Sequence, residues 1–220
     1  MDAVVTTLDC RTLGVTELNR ALRAGESADA SKKDSPFRAR TPDENLARFR
    51  EMRDGKLPDG AAVLRAKAEI VITSVGSPEP VMKPLKDSGC LVLADVASVR
   101  HAEKAVAAGV DGLVLLTAGA GGQTGWVNPF AFVRAVRRFW DGIVVMAGGM
   151  ADGHAIAAAE TLGCDLAYMG TKFIATRESL AKDGYKDMLV RSRLDDVLLT
   201  RAFTGLETNM LRPSIVAAGL

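Results

Sequence analysis

The chain has 220 residues, 48% of them hydrophobic and 25% charged, with a formal net charge of +1. These values describe one globular body, or one with a small appendage, built around an apolar core. The balanced charge argues against broad electrostatic adhesion to nucleic acid or an anionic membrane; no apolar run reaches a membrane span, and the opening MDAVVTTLDCRTLG is too polar for a secretory leader.

Cys10, Cys90 and Cys164 are odd in number, far apart and outside any C-x-x-C pair. That pattern implies reduced thiols in a cytoplasmic protein, buried as small hydrophobes, and no metal site. His101 and His154 are too few for a histidine-rich metal centre.

Residues 1–68 are polar and interrupted, a helical or irregular N-terminal segment distinct from residues 69–220. Thr16 and Gly25 bracket one short helix. Thr41, Pro42 and Glu44 open another with a capping box, and Gly55 closes it. Strand-like pieces stand at Ala3–Leu8 and Ala61–Ala66.

From Glu69 the pattern becomes regular. EIVITSVG, CLVLADVA, DGLVLLTAG, GIVVMAGG and CDLAYMGTKF read as five apolar strands. Helices follow in PVMKPLKDSG, SVRHAEKAVAAG, NPFAFVRAVRRFW (capped by Asn128, with a stripe Phe130, Val133, Val136 or Arg137, Trp140) and ADGHAIAAAETLG, capped by Asp152. The tail from Ser179 reads as one amphipathic helix, a short extended piece and irregular chain. This β-α alternation demands a parallel sheet covered by helices. An open doubly wound sheet and a barrel both satisfy it. In the barrel reading the fold is α/β, a partial (β/α)8 TIM-type barrel, with five C-terminal strand–helix units of the eight in a full barrel.

In either closure, chemistry gathers at the carboxyl ends of the strands. The fourth strand runs into Gly148-Gly149 and the fifth into Gly170-Thr171. Glycines let backbone N–H groups approach an anion, and a following helix adds a favourable dipole. Together the two turns point to phosphate, where either alone is an ordinary turn. The loop from Ala118 to Gly125 carries four glycines around Gln123 and Thr124, the two polar side chains placed to meet a substrate. Asp95, Ser74 and Gly76 end the first two strands, where they either line the same mouth or cap helices. His101 is expected to face outward, and His154 lies on a helix surface.

The ordered motifs VRHAEKAVAAGVDGLVLLTAGAGGQTG, VVMAGGMADG and DLAYMGTKFIATRES resemble the nitronate monooxygenase (2-nitropropane dioxygenase) family over residues 69–220. The resemblance implies an FMN-binding β/α barrel, with Gly148, Gly149, Gly170 and Thr171 holding the FMN phosphate and Gly122 and Thr124 beside the substrate. It implies oxidation of an alkyl nitronate with O2 to a carbonyl compound and nitrite. Family members carry a catalytic histidine in an AGGH-type loop; Gln123 stands there in this chain. A glutamine amide binds a nitro oxygen but has no useful pKa, so the expectation is turnover of nitronates and poor handling of neutral nitroalkanes. Asp95 falls where some members have a flavin-contacting lysine. An FMN/NAD(P)H enoyl-thioester reductase, or an inactive barrel fragment that self-associates as a homo-oligomer, are the alternatives. Residues 34–67 resemble a segment of glutaminyl-tRNA synthetase, without the synthetase's ATP-binding signatures.

Overall fold

The computed structural model describes residues 4–6, 68–203 and 205–220. The helices expected around Thr16 and Thr41, the piece at Ala61–Ala66 and Cys10 lie outside the described residues. Of the piece at Ala3–Leu8, Val4–Thr6 forms a strand, β1.

Five parallel strands follow in the expected places: β2 (Ile70–Ser74), β3 (Leu91–Val96), β4 (Gly112–Leu116), β6 (Ile143–Ala147) and β7 (Leu166–Tyr168), with a two-residue β5 (Gly122–Gln123) inside the glycine-rich loop. The sheet runs β1-β2-β3-β4-β6-β7. Only β1, antiparallel on β2, breaks the parallel pattern. Helices α1 (Glu79–Asp87), α2 (Val99–Ala107), α3 (Pro129–Val136) and α4 (Gly153–Leu162) make the crossovers.

Local signals explain these boundaries. Ser98 caps α2 by accepting from the His101 amide at 3.2 Å. Asn128 caps α3 by accepting from Phe130 and Ala131. Asp152 caps α4 at 3.0 Å from the Ala155 amide.

Alternation along each strand separates two apolar faces. Val71, Val92, Leu113, Leu115 and Val144 pack under the helices with Leu85, Phe132, Val133 and Val136 in the main core. The opposite face carries Leu93, Val114, Val145 and Ala147, flanked by Ile72, Leu116 and Ile143. Two apolar faces suit a sheet wrapped outside by helices and filled inside by its own side chains. At the amino ends of the strands, Asp111 accepts from the Val92 amide and Asp165 from the Val144 amide, at 2.7 and 2.8 Å. Arg137 ties Asp165 and the Gly163 carbonyl together. This end is a clamp; the opposite end holds the loops.

Three expectations are corrected. Phe130 of the expected α3 stripe is 60% exposed, because it sits in the first turn beyond the sheet, and Phe132 is fully buried in its place. The fifth strand does not run to Phe173: it stops at Tyr168, and a short helix, α5 (Thr171–Ile174), begins beyond Gly170. The tail is more ordered than its polarity implies. After α6 (Asp183–Arg191) come β8 (Val197–Thr200), β9 (Thr208–Leu211) and α7 (Arg212–Ala217). β8 and β9 form an antiparallel pair, and β9 also pairs with β5, so that Gly122 opposes Asn209 and Gln123 opposes Thr208.

Candidate functional site

Parallel register aligns the carboxyl ends of the strands. Ala147 pairs with Tyr168, so Gly148-Gly149 and Gly170-Thr171 leave neighbouring strands on the same rim. The Lys172 ammonium reaches from the second turn to the Ala151 carbonyl beyond the first, at 2.7 Å. The glycine-rich loop closes over both. An added Cβ on Gly121 would strike the Thr171 hydroxyl. Gly148 has φ +122, and its Cβ would strike the Thr117 hydroxyl and come within 2.9 Å of the Ala120 amide nitrogen. That position admits no side chain without moving the loop. Gly149 and Gly170, by contrast, face open space, with no atom within 4 Å of an added Cβ. The Gly149 amide donates to the Gly119 carbonyl at 3.3 Å.

Beside this rim lies a cleft of about 400 Å³ lined by Ser74, Asp95, Leu116, Gln123, Thr124 and Leu206, with His101 and Lys104 on its outer wall. The structure therefore brings Gln123 and Thr124 to one cavity with Asp95 and Ser74. Gln123 is exposed, whereas Thr124 is buried. The Thr124 hydroxyl donates to loop carbonyls, those of Thr117 at 3.0 Å and Gly125 at 3.1 Å. It shapes the loop around Gln123, while Gly122 supplies the backbone path.

Asp95 lines the mouth and caps no helix, since Ser98 has that task. Burial holds its carboxyl above the ordinary range, and a hydrogen bond with Ser74 offsets part of that effect. His101, expected to face outward, is exposed yet borders the cleft. His154 is fully exposed, 4.0 Å from Asp152. Leu206 carries no local motif, and no sequence signal marks it or Lys104 as a site residue. Cys90 and Cys164 are buried free thiols. Among the described residues no helix is long and apolar enough to cross a membrane.

The family model of nitronate monooxygenases matches residues 38–218. The chain belongs to the nitronate monooxygenase family. The match begins inside the segment that resembles glutaminyl-tRNA synthetase, and no synthetase character is assigned to it. A nitronate monooxygenase of Paraburkholderia phytofirmans is 32% identical over 169 residues, covering 72% of this chain and 46% of that protein. A (3aS,4S,5R,7aS)-5-hydroxy-7a-methyl-1-oxo-octahydro-1H-indene-4-carboxyl-CoA dehydrogenase of Rhodococcus jostii is 28% identical, covering 70% of this chain and 44% of its own. The chain thus spans less than half the length of these two relatives. Among solved structures, FabK from Thermotoga maritima superposes with a TM-score of 0.64 at 30% identity, covering 80% of this chain and 61% of that one. Nitroalkane oxidase from Streptomyces ansochromogenes superposes with a TM-score of 0.57 at 33% identity, covering 60% of this chain and 42% of that one. These likenesses place the five strand–helix units in a β/α barrel rather than an open doubly wound sheet.

Proposed function

We propose that this nitronate monooxygenase family member is an FMN-dependent oxidoreductase acting on alkyl nitronates with O2. The observation that carries the reading is the convergence of Gly148-Gly149 and Gly170-Thr171 on one rim. The residues present fit a phosphate: Gly148 packs where any Cβ would collide, and the space over Gly149 and Gly170 is open. Because the Gly149 amide already has a long hydrogen bond to Gly119, the phosphate is held chiefly by the Gly148, Gly170 and Thr171 backbone and the Thr171 hydroxyl. When bound, the flavin supplies the electron-transfer chemistry, and the protein supplies orientation and electrostatics.

Gln123 is the substrate-facing group in this reading. Its amide N–H donates to a nitro oxygen and fixes the plane of the nitronate. Pairing of β5 with β9 fixes the backbone that presents it. Thr124 and Gly122 set the turn behind Gln123.

A second reading is a flavin-dependent oxidoreductase of thioester substrates. The likeness to the CoA-ester dehydrogenase favours it, as do Lys104 and His101 on the outer cleft wall, where cations suit phosphates.

The test is an absorbance spectrum of the purified protein after FMN addition and desalting, followed by nitrite measurement with a primary alkyl nitronate in air. A retained flavin band and nitrite release are expected. A protein that retains no flavin refutes the proposal. Retained flavin without nitrite, but with anaerobic bleaching by NADH and recovery of the flavin band on addition of an enoyl thioester, selects the second reading.

A further inference from the structure

The cleft holds a titratable group that the cofactor reading leaves unused. Asp95 stands one residue from the end of β3, in phase with Leu93 on the inner face, while Ala94 and Val96 turn to the helix side. It opposes Val114 of β4, and Ser74 lies beside it on β2. Its Oδ1 is buried without a hydrogen-bond partner. Leaving such an atom unpartnered costs about 1–3 kcal/mol, and buried polar atoms in folded proteins are otherwise almost always satisfied.

Structural duties do not account for it. Asp111 and Asp165 clamp the amino ends of strands through backbone amides and through Lys86 and Arg137, and Asp152 caps a helix. Asp95 does neither. It looks into the cleft that Gln123 also lines. The other charged or titratable groups lining that cleft are His101 and Lys104, both from α2; β2, β4 and the loop after β4 contribute none among the described residues.

We propose that Asp95 is the general base of this site, removing the α-proton of a neutral nitroalkane bound against Gln123. The inference rests on the oxidoreductase reading and deepens it. In the step, the substrate C–H bond breaks and an O–H bond forms on the Asp95 carboxylate. The electron pair of the C–H bond moves into the nitro group, giving the nitronate. No oxidant is consumed. The Gln123 amide donates to the oxygen on which charge gathers. Neutral nitroalkanes then become substrates, contrary to what Gln123 alone implies. Because burial favours the protonated carboxyl, base action is absent at low pH and appears as pH rises through the elevated pKa. The hydrogen bond from Ser74 favours the carboxylate.

The experiment is α-hydrogen exchange of nitroethane in D2O, followed by proton NMR with the full chain and FMN under anaerobic conditions, beside nitrite release from preformed nitronate in air. Exchange above the buffer rate is expected, with an inflection above the ordinary carboxylate range. Asp95→Asn is expected to lose about a hundredfold or more in exchange, and to lose more in nitrite release from neutral nitroethane than from preformed nitronate. Asp95→Glu is expected to restore part of it. Absence of exchange by the wild-type protein, whatever the nitrite assay gives, overturns the proposal. So does unchanged exchange in Asp95→Asn, or a flat pH profile, which is read on wild type and needs no variant to fold. Exchange that depends on Asp95 without any nitrite from nitronate refutes the nitronate reading and leaves the base assignment standing.

Discussion

The phosphate assignment makes a charge-specific prediction at Gly149. Its φ of +70 lies in the left-handed region, and an added Cβ meets nothing within 4 Å. Asn and Asp are the side chains that tolerate this backbone best. Gly149→Asn and Gly149→Asp therefore share shape and strain and differ by one negative charge. At about 5 Å from a phosphate, with an effective dielectric of about 40–80 for this exposed turn, each pair of unit charges costs about 0.8–1.7 kcal/mol. Against a dianion that is about 2–3 kcal/mol, or roughly 30- to 150-fold in Kd. The assay is quenching of flavin fluorescence, titrated with FMN and, in parallel, with riboflavin, which lacks the phosphate. The Asp variant is expected to bind FMN that much more weakly than the Asn variant, less so at high salt. The two variants are expected to bind riboflavin alike. Equal FMN affinities for Asp and Asn would refute the reasoning, and so would an equal penalty on riboflavin.

Two further expectations concern titratable groups. Burial pushes the Cys164 thiol up to about 11, with Arg137 opposing and Asp165 reinforcing the shift; thiolate is then scarce at pH 8, and alkylation by iodoacetamide should run about tenfold or more slower than for a free thiol, with peptide mass spectrometry showing acceleration only on unfolding. For Asp95, the folded-state pKa lies above the ordinary value of 3.8 because burial penalises the charged form, so the native state binds the extra proton and loses stability as pH rises from that value through the elevated one. Asp95→Asn should accordingly stabilise the fold at neutral pH, by on the order of 1 kcal/mol, with the advantage vanishing below about pH 3.8; urea melts that show no gain at pH 7, or the same gain at pH 3, would count against it.

The five strands and four crossover helices were legible because each strand is an apolar run set between turn residues, and α3 and α4 open on the expected caps, Asn128 and Asp152. The rim position of Gly148, Gly149, Gly170 and Thr171 followed from that alternation alone. The second sheet was not legible. Gly122 and Gln123 have no strand propensity, and their partners Asn209 and Thr208 lie more than eighty residues away, so no local period announces the pairing. Phe130 and Phe132 shared one apolar segment, and only the direction of α3 against the sheet decides which is buried. Asp95 was legible as a strand-end residue between two possible roles. That Ser98 takes the capping task, and that one Asp95 oxygen lacks a partner, depend on side-chain geometry.

The pairing of β5 with β9 ties the most glycine-rich stretch of the chain to its far end. The Asn209 side chain donates to the Ala120 carbonyl at 2.8 Å, and the Thr124 amide donates to the Glu207 carbonyl at 3.2 Å. Glu207 and the β8–β9 pair thus splint a segment that cannot stiffen itself, since its own composition favours many backbone shapes. A cut ahead of that splint would leave the parallel sheet with its core yet release the hinge that aims Gln123, which makes the distal hairpin part of the business end rather than a trailing ornament.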